Sequence, residues 1–278
     1  MKTKIIFLLI TIFFLISAVG QLISDQQTIA FFSVGEGDAS HIRLKNGFDI
    51  VIDGGPDQTF LSQLSQKMPF FDRTIELVIL THPDYDHLTG LNFLAERYQV
   101  DQILVSSAKS KSYAAVFWQE IVEAKAIPVT EVKAGDSILT GDKKLEILWP
   151  PAGYSSDKIN NQSIVFSLTL DGVNFLFSGD IEVPVEEKLN GQSNLRADVL
   201  KVAHHGSNSS STISFLSQIA PKYAIISVGQ DNKFGHPNPE VLNRLREVKS
   251  EILRTDQLGA ITFVYQDGQF QIETENIK

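Results

Sequence analysis

The chain has 278 residues, 43% hydrophobic and 21% charged, with 24 Lys and Arg against 33 Asp and Glu for a net charge of −9. That is ordinary composition for a folded domain and excludes collagen-like, coiled-coil and disordered chains. No long basic run exists, so the broad positive footprint of a nucleic-acid-binding surface is absent. The cysteine count of zero removes disulfides, thiolate nucleophiles, zinc–thiolate sites and iron–sulfur clusters together.

Residues 1–20 stand apart. Met1–Lys4 is short and basic, Ile5–Gly20 is apolar and uncharged, and Ala18-Val19-Gly20 puts small residues where a signal peptidase reads. Cleavage before Gln21 is therefore expected. Left uncleaved, the same run can anchor the chain in a thinned or tilted bilayer. Residues 1–20 are read as a signal peptide or N-terminal membrane anchor, 21–278 as one domain, and the product as secreted or extracytoplasmic.

From Gln21 onward strand and helix patterns alternate. Thr28–Val34 is β-prone, Ala39–Lys45 alternates, and Asn46-Gly47 turns the chain into Phe48–Ile52. Leu61–Met68 reads as helix, Ile75–Leu80 as a strand buried on both faces, Leu88–Tyr98 as helix, Gln102–Val105 as strand and Tyr113–Ala126 as helix. The second half gives strands at Lys144–Leu148, Ile164–Leu170 and, after the Asp171-Gly172 turn, Val173–Phe177. Helices at Val185–Leu189, Thr212–Ile219 and Pro239–Val248 alternate with strands at Asp198–Ala203, Tyr223–Val228 and Ile252–Arg254. Ala260–Tyr265 and Phe270–Glu273 close the chain around Asp267-Gly268. Two halves of similar content predict α/β layers, with two sheets face to face and helices outside both.

The six histidines are His41, His82, His87, His204, His205 and His236, and most stand at predicted strand ends beside Asp or Gly. His82, Asp84, Asp86 and His87 offer four metal-type ligands within six residues, on a tight turn between a buried strand and a helix. Imidazole and carboxylate together suit zinc, manganese or iron. The competing reading, a solvated acidic helix start with Asp86 favoured by the helix dipole, leaves both histidines unexplained. Asp180 ends a β run in Ser-Gly-Asp, where glycine permits close backbone approach and a carboxylate can bridge two ions. Asp53 fits a hydrogen-bonding role that orients the His82–His87 loop. His41, alternating with Arg43 and Lys45, reads as an exposed or half-buried strand residue.

The His-x-Asp-x-Asp-His segment resembles the metal-binding signature of the metallo-β-lactamase superfamily, with Asp84 where most members carry His. That variant looks like the branch holding the hydrolase domain of ComEC-type DNA-uptake competence proteins and the teichoic-acid phosphorylcholine esterases. Phe32-Ser-Val-Gly-Glu-Gly-Asp-Ala39, Asp53-Gly54-Gly55, Asn160-Asn-Gln-Ser163, Phe177-Ser-Gly-Asp180, Leu200-Lys-Val-Ala-His-His-Gly-Ser207 and Gly235-His-Pro237 follow that branch's order. The resemblance covers nearly the whole chain after residue 20. Without the membrane-channel segments of full competence proteins, it implies a stand-alone secreted enzyme.

The resemblance implies a four-layer αββα fold with two mixed sheets and a site for two divalent ions, zinc or manganese. It assigns His205 to metal and His204 to a substrate phosphate or leaving group, the reverse order staying open, and makes His236 the last ligand. One ion would take His82, Asp84 and His205, the other Asp86, His87 and His236, with Asp180 between them. Ions about 3.5–4 Å apart can hold a bridging hydroxide at neutral pH and polarise a phosphoryl oxygen. Asp86 and His204 are then the candidate catalytic residues, and His204 and Ser207, with the Gly206 amide, the candidate substrate contacts. A Ser–His–Asp triad can be drawn from the same residue types but lacks a nucleophile elbow.

The expected substrate is a phosphodiester, either extracellular DNA or another nucleic acid, or a phosphocholine-type cell-envelope ester, with no specific nucleic-acid-recognition motif. The alternatives are a hydrolase of another ester, thioester, lactone or lactam on the same fold, and a non-catalytic metal-binding module.

Overall fold

The computed structural model describes residues 26–140 and 143–275; the segment read as signal or anchor lies outside the described residues. The first half runs β1 (Thr28–Phe31), β2 (Ala39–Arg43), β3 (Asp49–Gly54), α1 (Thr59–Lys67), β4 (Thr74–Ile75), β5 (Leu77–Leu80), α2 (Tyr85–Arg97), β6 (Gln99–Val100), β7 (Ile103–Val105), α3 (Tyr113–Ala124) and β8 (Val129–Glu131). The second runs β9 (Ser137–Thr140), β10 (Lys143–Trp149), β11 (Val165–Leu170), β12 (Val173–Phe177), α4 (Val183–Leu189), β13 (Val199–Lys201), α5 (Ile213–Ile219), β14 (Tyr223–Ile226), α6 (Pro239–Glu247), β15 (Glu251–Arg254), α7 (Thr255–Leu258), β16 (Ile261–Gln266) and β17 (Gln269–Thr274).

One sheet is ordered β17-β16-β1-β2-β3-β5-β7-β8 and the other β15-β14-β13-β12-β11-β10-β9, with β4 and β6 forming a separate pair. The chain's last two strands return to the first sheet, where β16 lies antiparallel to β1. Both large sheets are mixed: β3, β5 and β7 run parallel in one, and β12 to β15 in the other.

Side-chain alternation along each strand sorts the apolar residues into three cores. Ile29, Phe31, Ile52, Phe166, Phe175 and Phe263 fill the space between the sheets. There Phe31 stacks on Phe177 at 5.7 Å, and Phe175 meets Phe263 edge-on at 5.7 Å, tying the sheets together. Phe60 of α1, Leu91 of α2 and Trp118 of α3 pack on the opposite side of the first sheet. Val185 of α4, Phe215 of α5 and Val241 of α6 pack outside the second. The result is the expected four-layer αββα arrangement.

The structure departs from expectation at the sheet edges and at one histidine. The edge strands β8 and β9 were not legible because β8 is exposed at all three positions and β9 buries only Thr140, so no alternating apolar pattern marks either. Asp198–Ala203 is strand only over Val199–Lys201, because Ala203 already begins the turn that carries the histidine pair. His41 is a correction: it is neither exposed nor half-buried but fully buried. Its Nε2 lies 2.8 Å from Asp49 Oδ1, and Arg43 pairs with the same carboxylate. β2 is an interior strand, and its polar face lies beneath the helical layer, where Asp49 meets both His41 and Arg43.

Parallel pairing has one consequence for the site. Asp53 ends β3, His82 follows β5, Asp180 follows β12, and His204 and His205 follow β13. The carboxyl ends of both parallel groups thus meet at one rim, where open α/β sheets bind ligands.

Candidate metal centre

The loop Thr81–Asp84 joins β5 to α2, and helix packing fixes its position. A Cβ on Gly90 of α2 would sit 1.8 Å from the Gly54 carbonyl oxygen, so only glycine lets the helix start approach the end of β3 this closely. Asp84 occupies the N-cap position, yet its side chain makes no capping hydrogen bond. Its Oδ2 lies 3.7 Å from His82 Nε2, so the simple helix-cap reading of this acidic turn fails.

Asp53 holds this loop. It accepts hydrogen bonds from the Thr81 amide (2.8 Å) and hydroxyl (2.7 Å), and its Oδ2 lies 2.8 Å from His87 Nδ1. That contact leaves Nε2 as the nitrogen His87 presents to the site, the usual outer support of a ligand imidazole. Replacing Asp53 by Asn should weaken divalent-ion affinity about 10–100-fold while the chain stays folded, as measured by calorimetric titration with zinc or manganese. Unchanged affinity would remove Asp53 from the site.

Asp86, His87, Asp180 and His205 converge, with one ligand atom from each lying within 4.8 Å of all the others. His87 Nε2 is 3.3 Å from Asp180 Oδ2, and His205 Nε2 is 3.2 Å from Asp86 Oδ2 and 3.6 Å from Asp180 Oδ2. His205 thus lies with Asp86, His87 and Asp180. His82 is adjacent, its ring 4.2 Å from that of His87. His236 lies outside the four-residue group. Its ring is 6.2 Å from His205 and 5.8 Å from His204, and its Nδ1 is 2.7 Å from Glu36 Oε1.

The histidine pair owes its placement to backbone conformation. His204 and His205 both have positive φ, 51° and 52°, so successive side chains swing out of the strand's alternation. His205 is buried and His204 half-buried. His204 contacts Asn160 Nδ2 at 3.3 Å and Ser209 Oγ at 3.2 Å, and Ser207 Oγ lies 3.0 Å from Ser209 Oγ. Asp180 is set by Gly179 (φ 49°), where a Cβ would meet Ser163 Cβ at 2.7 Å, and by its own amide donating to Ser163 Oγ at 3.1 Å.

Burial, aided by the neighbouring His87, drives His82 down to about 3, so it stays neutral and available as a ligand. Burial also opposes charge on His87 and His205, but carboxylates outweigh it. Asp180, Asp53 and Asp86 hold His87 well above its ordinary value, and Asp180 and Asp38 push His205 up to about 10. Burial likewise opposes charge on Asp180, yet His87 and His205 hold it well below the usual carboxylate range.

These residues fit a divalent ion. His82 Nε2, His87 Nε2 and Asp180 Oδ1 are buried without a hydrogen-bond partner, an expensive state for polar atoms unless something else satisfies them. The donors are all imidazole and carboxylate, the set that zinc and manganese accept.

Sequence reading missed the supports behind this cluster. Asp38 is buried and pairs with buried Lys201 Nζ at 2.7 Å, and its Oδ1 lies 3.4 Å from His205 Nδ1. Glu36 holds His236, and the Ser227 carbonyl oxygen lies 3.1 Å from His205 Nδ1. One signal was present: a lysine inside the apolar run Val199–Ala203 demands a buried anion, and Gly35-Glu-Gly-Asp38 supplied two carboxylates on one turn.

Comparison with known proteins agrees with this geometry. The pattern of the metallo-beta-lactamase superfamily matches residues 34–230, and the chain belongs to that family. It is 29% identical to ComE operon protein 3 of Bacillus subtilis over 270 residues, covering 90% of this chain and 35% of that protein. Recombination protein 2 of Haemophilus influenzae is 28% identical over 265 residues, covering 93% of this chain and 31% of that protein. The chain thus spans about a third of the length of these relatives. Among solved structures, the metallo-beta-lactamase fold protein YhfI of Bacillus subtilis superposes with a TM-score of 0.56 at 10% identity, covering 86% of this chain and all of that one. Igni18, a metallo hydrolase of Ignicoccus hospitalis, superposes with a TM-score of 0.55 at 15% identity, with 86% and 100% coverage. The chain has the metal-dependent hydrolase fold and a ligand cluster of the kind such a hydrolase needs. No helix among the described residues is long and apolar enough to cross a membrane.

Proposed function

We propose that this protein is a phosphodiesterase dependent on two divalent ions, zinc or manganese, exported or held at the membrane by residues 1–20. The observation that carries the reading is the set of buried, unpartnered ligand atoms on His82, His87 and Asp180, beside the Asp86–His205 contact. Asp84, Asp86 and His236 complete the proposed ligand set. When bound, the ions would supply Lewis acidity to a phosphoryl oxygen and lower the pKa of a water.

This chain's own residues then do the rest. Although burial raises its pKa, His87 and His205 more than compensate, so Asp86 is a carboxylate at neutral pH, able to hold an ion and orient a water. Burial lowers His204, keeping it a neutral imidazole at the rim beside Ser207 and Ser209, where it can hydrogen-bond a phosphoryl or leaving oxygen. The recombination protein among the relatives directs the substrate class toward nucleic acid.

EDTA should abolish cleavage of nucleotide or bis-aryl phosphodiesters, and added zinc or manganese should restore it. His205→Ala should lose metal, whereas His204→Ala should keep both ions and turn over about 10²-fold more slowly, the loss expected for one positioned hydrogen-bonding group. Metal loss in the second variant and retention in the first would reverse the pair. Efficient lactone or β-lactam cleavage with no diester turned over would defeat the reading.

Metal uptake should also release protons. His205 is protonated below about 10 in the absence of an ion, and a ligand imidazole must be neutral. Affinity should therefore rise with pH from neutrality toward 10, with proton release visible in weakly buffered indicator. A flat profile would mean that His205 carries no proton to displace.

A further inference from the structure

Phe70 and Phe71 are 76% and 80% exposed, in the turn between α1 and β4. The turn is built. The Asp72 amide donates to the Pro69 carbonyl oxygen at 2.9 Å, which puts both phenylalanines at the central positions of a four-residue turn. Their rings meet edge to face, with centroids 5.0 Å apart. Met68, just before the turn, is buried in the core that the first helices share with their sheet. Asp72, just after the pair, accepts from the Thr74 amide at 3.2 Å and from Arg43 Nη2 at 3.4 Å. The chain thus fixes a two-ring apolar tip and leaves it uncovered, which marks a contact surface.

The tip stands at the end of the molecule away from the metal rim. The turn leads through β4 to the amino end of β5, whereas His82 follows the carboxyl end of β5. Arg43, which reaches the tip through Asp72, ends β2 opposite Asp49, the first residue of β3, and Asp53 lies at the far end of that strand. Arg43 is also the register partner of Thr28, the first residue of β1. The chain therefore enters the fold at the end that carries the tip. Residues 21–27 span at most about 25 Å, so the apolar run Ile5–Gly20 is tethered closely to this end.

We propose that the Phe70–Phe71 tip docks into the headgroup–acyl boundary of a lipid bilayer, so that the metal rim faces away from the membrane. This rests on the proposal that residues 1–20 hold the chain at the membrane. Two rings offer about 150–250 Å² each, short of the roughly 800 Å² per partner in a stable protein interface, whereas lipid requires no shape complementarity. In the flanking sequence Lys67 and Arg73 are offset by Asp72 and Glu76, and the whole chain carries a net charge of −9. Apolar contact with a neutral headgroup layer therefore carries the docking, not attraction to anionic lipid.

The test uses the full chain in vesicles of palmitoyl-oleoyl phosphatidylcholine. The protein has no cysteine, so Phe71→Cys gives a single site for an environment-sensitive nitrobenzoxadiazole label, whose ring replaces the lost phenyl. Tyr113→Cys is the control: Tyr113 is 85% exposed and starts α3, beyond the carboxyl end of β7 and so on the metal-rim side. The label at 71 should shift to the blue and be quenched by phosphatidylcholine spin-labelled near its headgroup, as for an apolar group about 5–10 Å deep in the interface. The label at 113 should show neither effect. Phe70→Asp should abolish both signals at 71 while the folded chain, checked by circular dichroism, still floats with the vesicles. Flotation with the label at 71 in water would overturn the docking and leave the anchor standing. A blue shift without lipid quenching would assign the tip to a protein contact, and equal quenching at 71 and 113 would remove the orientation; either result overturns the proposal. A chain that does not float would overturn anchor and docking together. None of these outcomes bears on phosphodiester turnover, which decides the enzyme reading separately.

Discussion

Asp180→Ala should strip the protein of divalent metal and lower phosphodiester turnover on the order of 10³-fold, the upper range for losing one electrostatic group in a site. Asp180 is buried and its Oδ2 lies within 3.6 Å of both His87 and His205, so it joins the ligands from α2 to those after β13. It is also the foremost of the carboxylates that raise both imidazoles. Without it, His87 and His205 should fall back toward their ordinary pKa values, which proton NMR of the metal-free variant can follow. The strand core should survive, because Asp180 follows β12 and takes no part in its pairing. Elemental analysis of the folded variant decides the matter: two ions retained with undiminished turnover would remove Asp180 from the centre.

Lys201→Ala should cost stability, by about 3–5 kcal/mol at neutral pH, the usual result of leaving one member of a buried ion pair alone. Lys201 and Asp38 are both buried and lie 2.7 Å apart. Burial works against the Asp38 carboxylate, but Lys201 and then His205 hold its pKa below the ordinary value. A depressed carboxylate contributes stability that is present above its unfolded pKa of about 3.8 and is lost as pH falls through the folded one. The gap between wild type and Lys201→Ala in urea melts should therefore be widest near neutrality and shrink in acid below about 4. Asp38→Asn combined with Lys201→Met should recover much of the loss, since removing both charges leaves no ion stranded. A single variant as stable as wild type at neutral pH would show the pair to be inert.

The sequence carried the layered architecture because burial leaves a periodic trace. Leu77–Leu80 is apolar and buried at every position since both of its faces are covered. The metal loop was legible for another reason: His82, Asp84, Asp86 and His87 are local in sequence, so spacing alone brought them together. Asp53 as a support was also readable, because a carboxylate ending a strand beside two glycines has few other tasks.

What the sequence could not fix is long-range. The gathering of His205 with Asp86, His87 and Asp180 depends on two sheets meeting at one rim and on two successive left-handed residues, neither of which has a local signature. His41 went astray because alternation tells which face a side chain takes, not whether a helix covers that face. Asp38 and Lys201, 163 positions apart, find each other only once β13 is laid against the turn after β1. Composition, periodicity and local spacing thus determined the layers and the His82–His87 part of the candidate site. The pairing of distant charges and the gathering of the candidate ligands were decided by tertiary packing, since contact energies between residues far apart in sequence leave no pattern until the sheets close on each other.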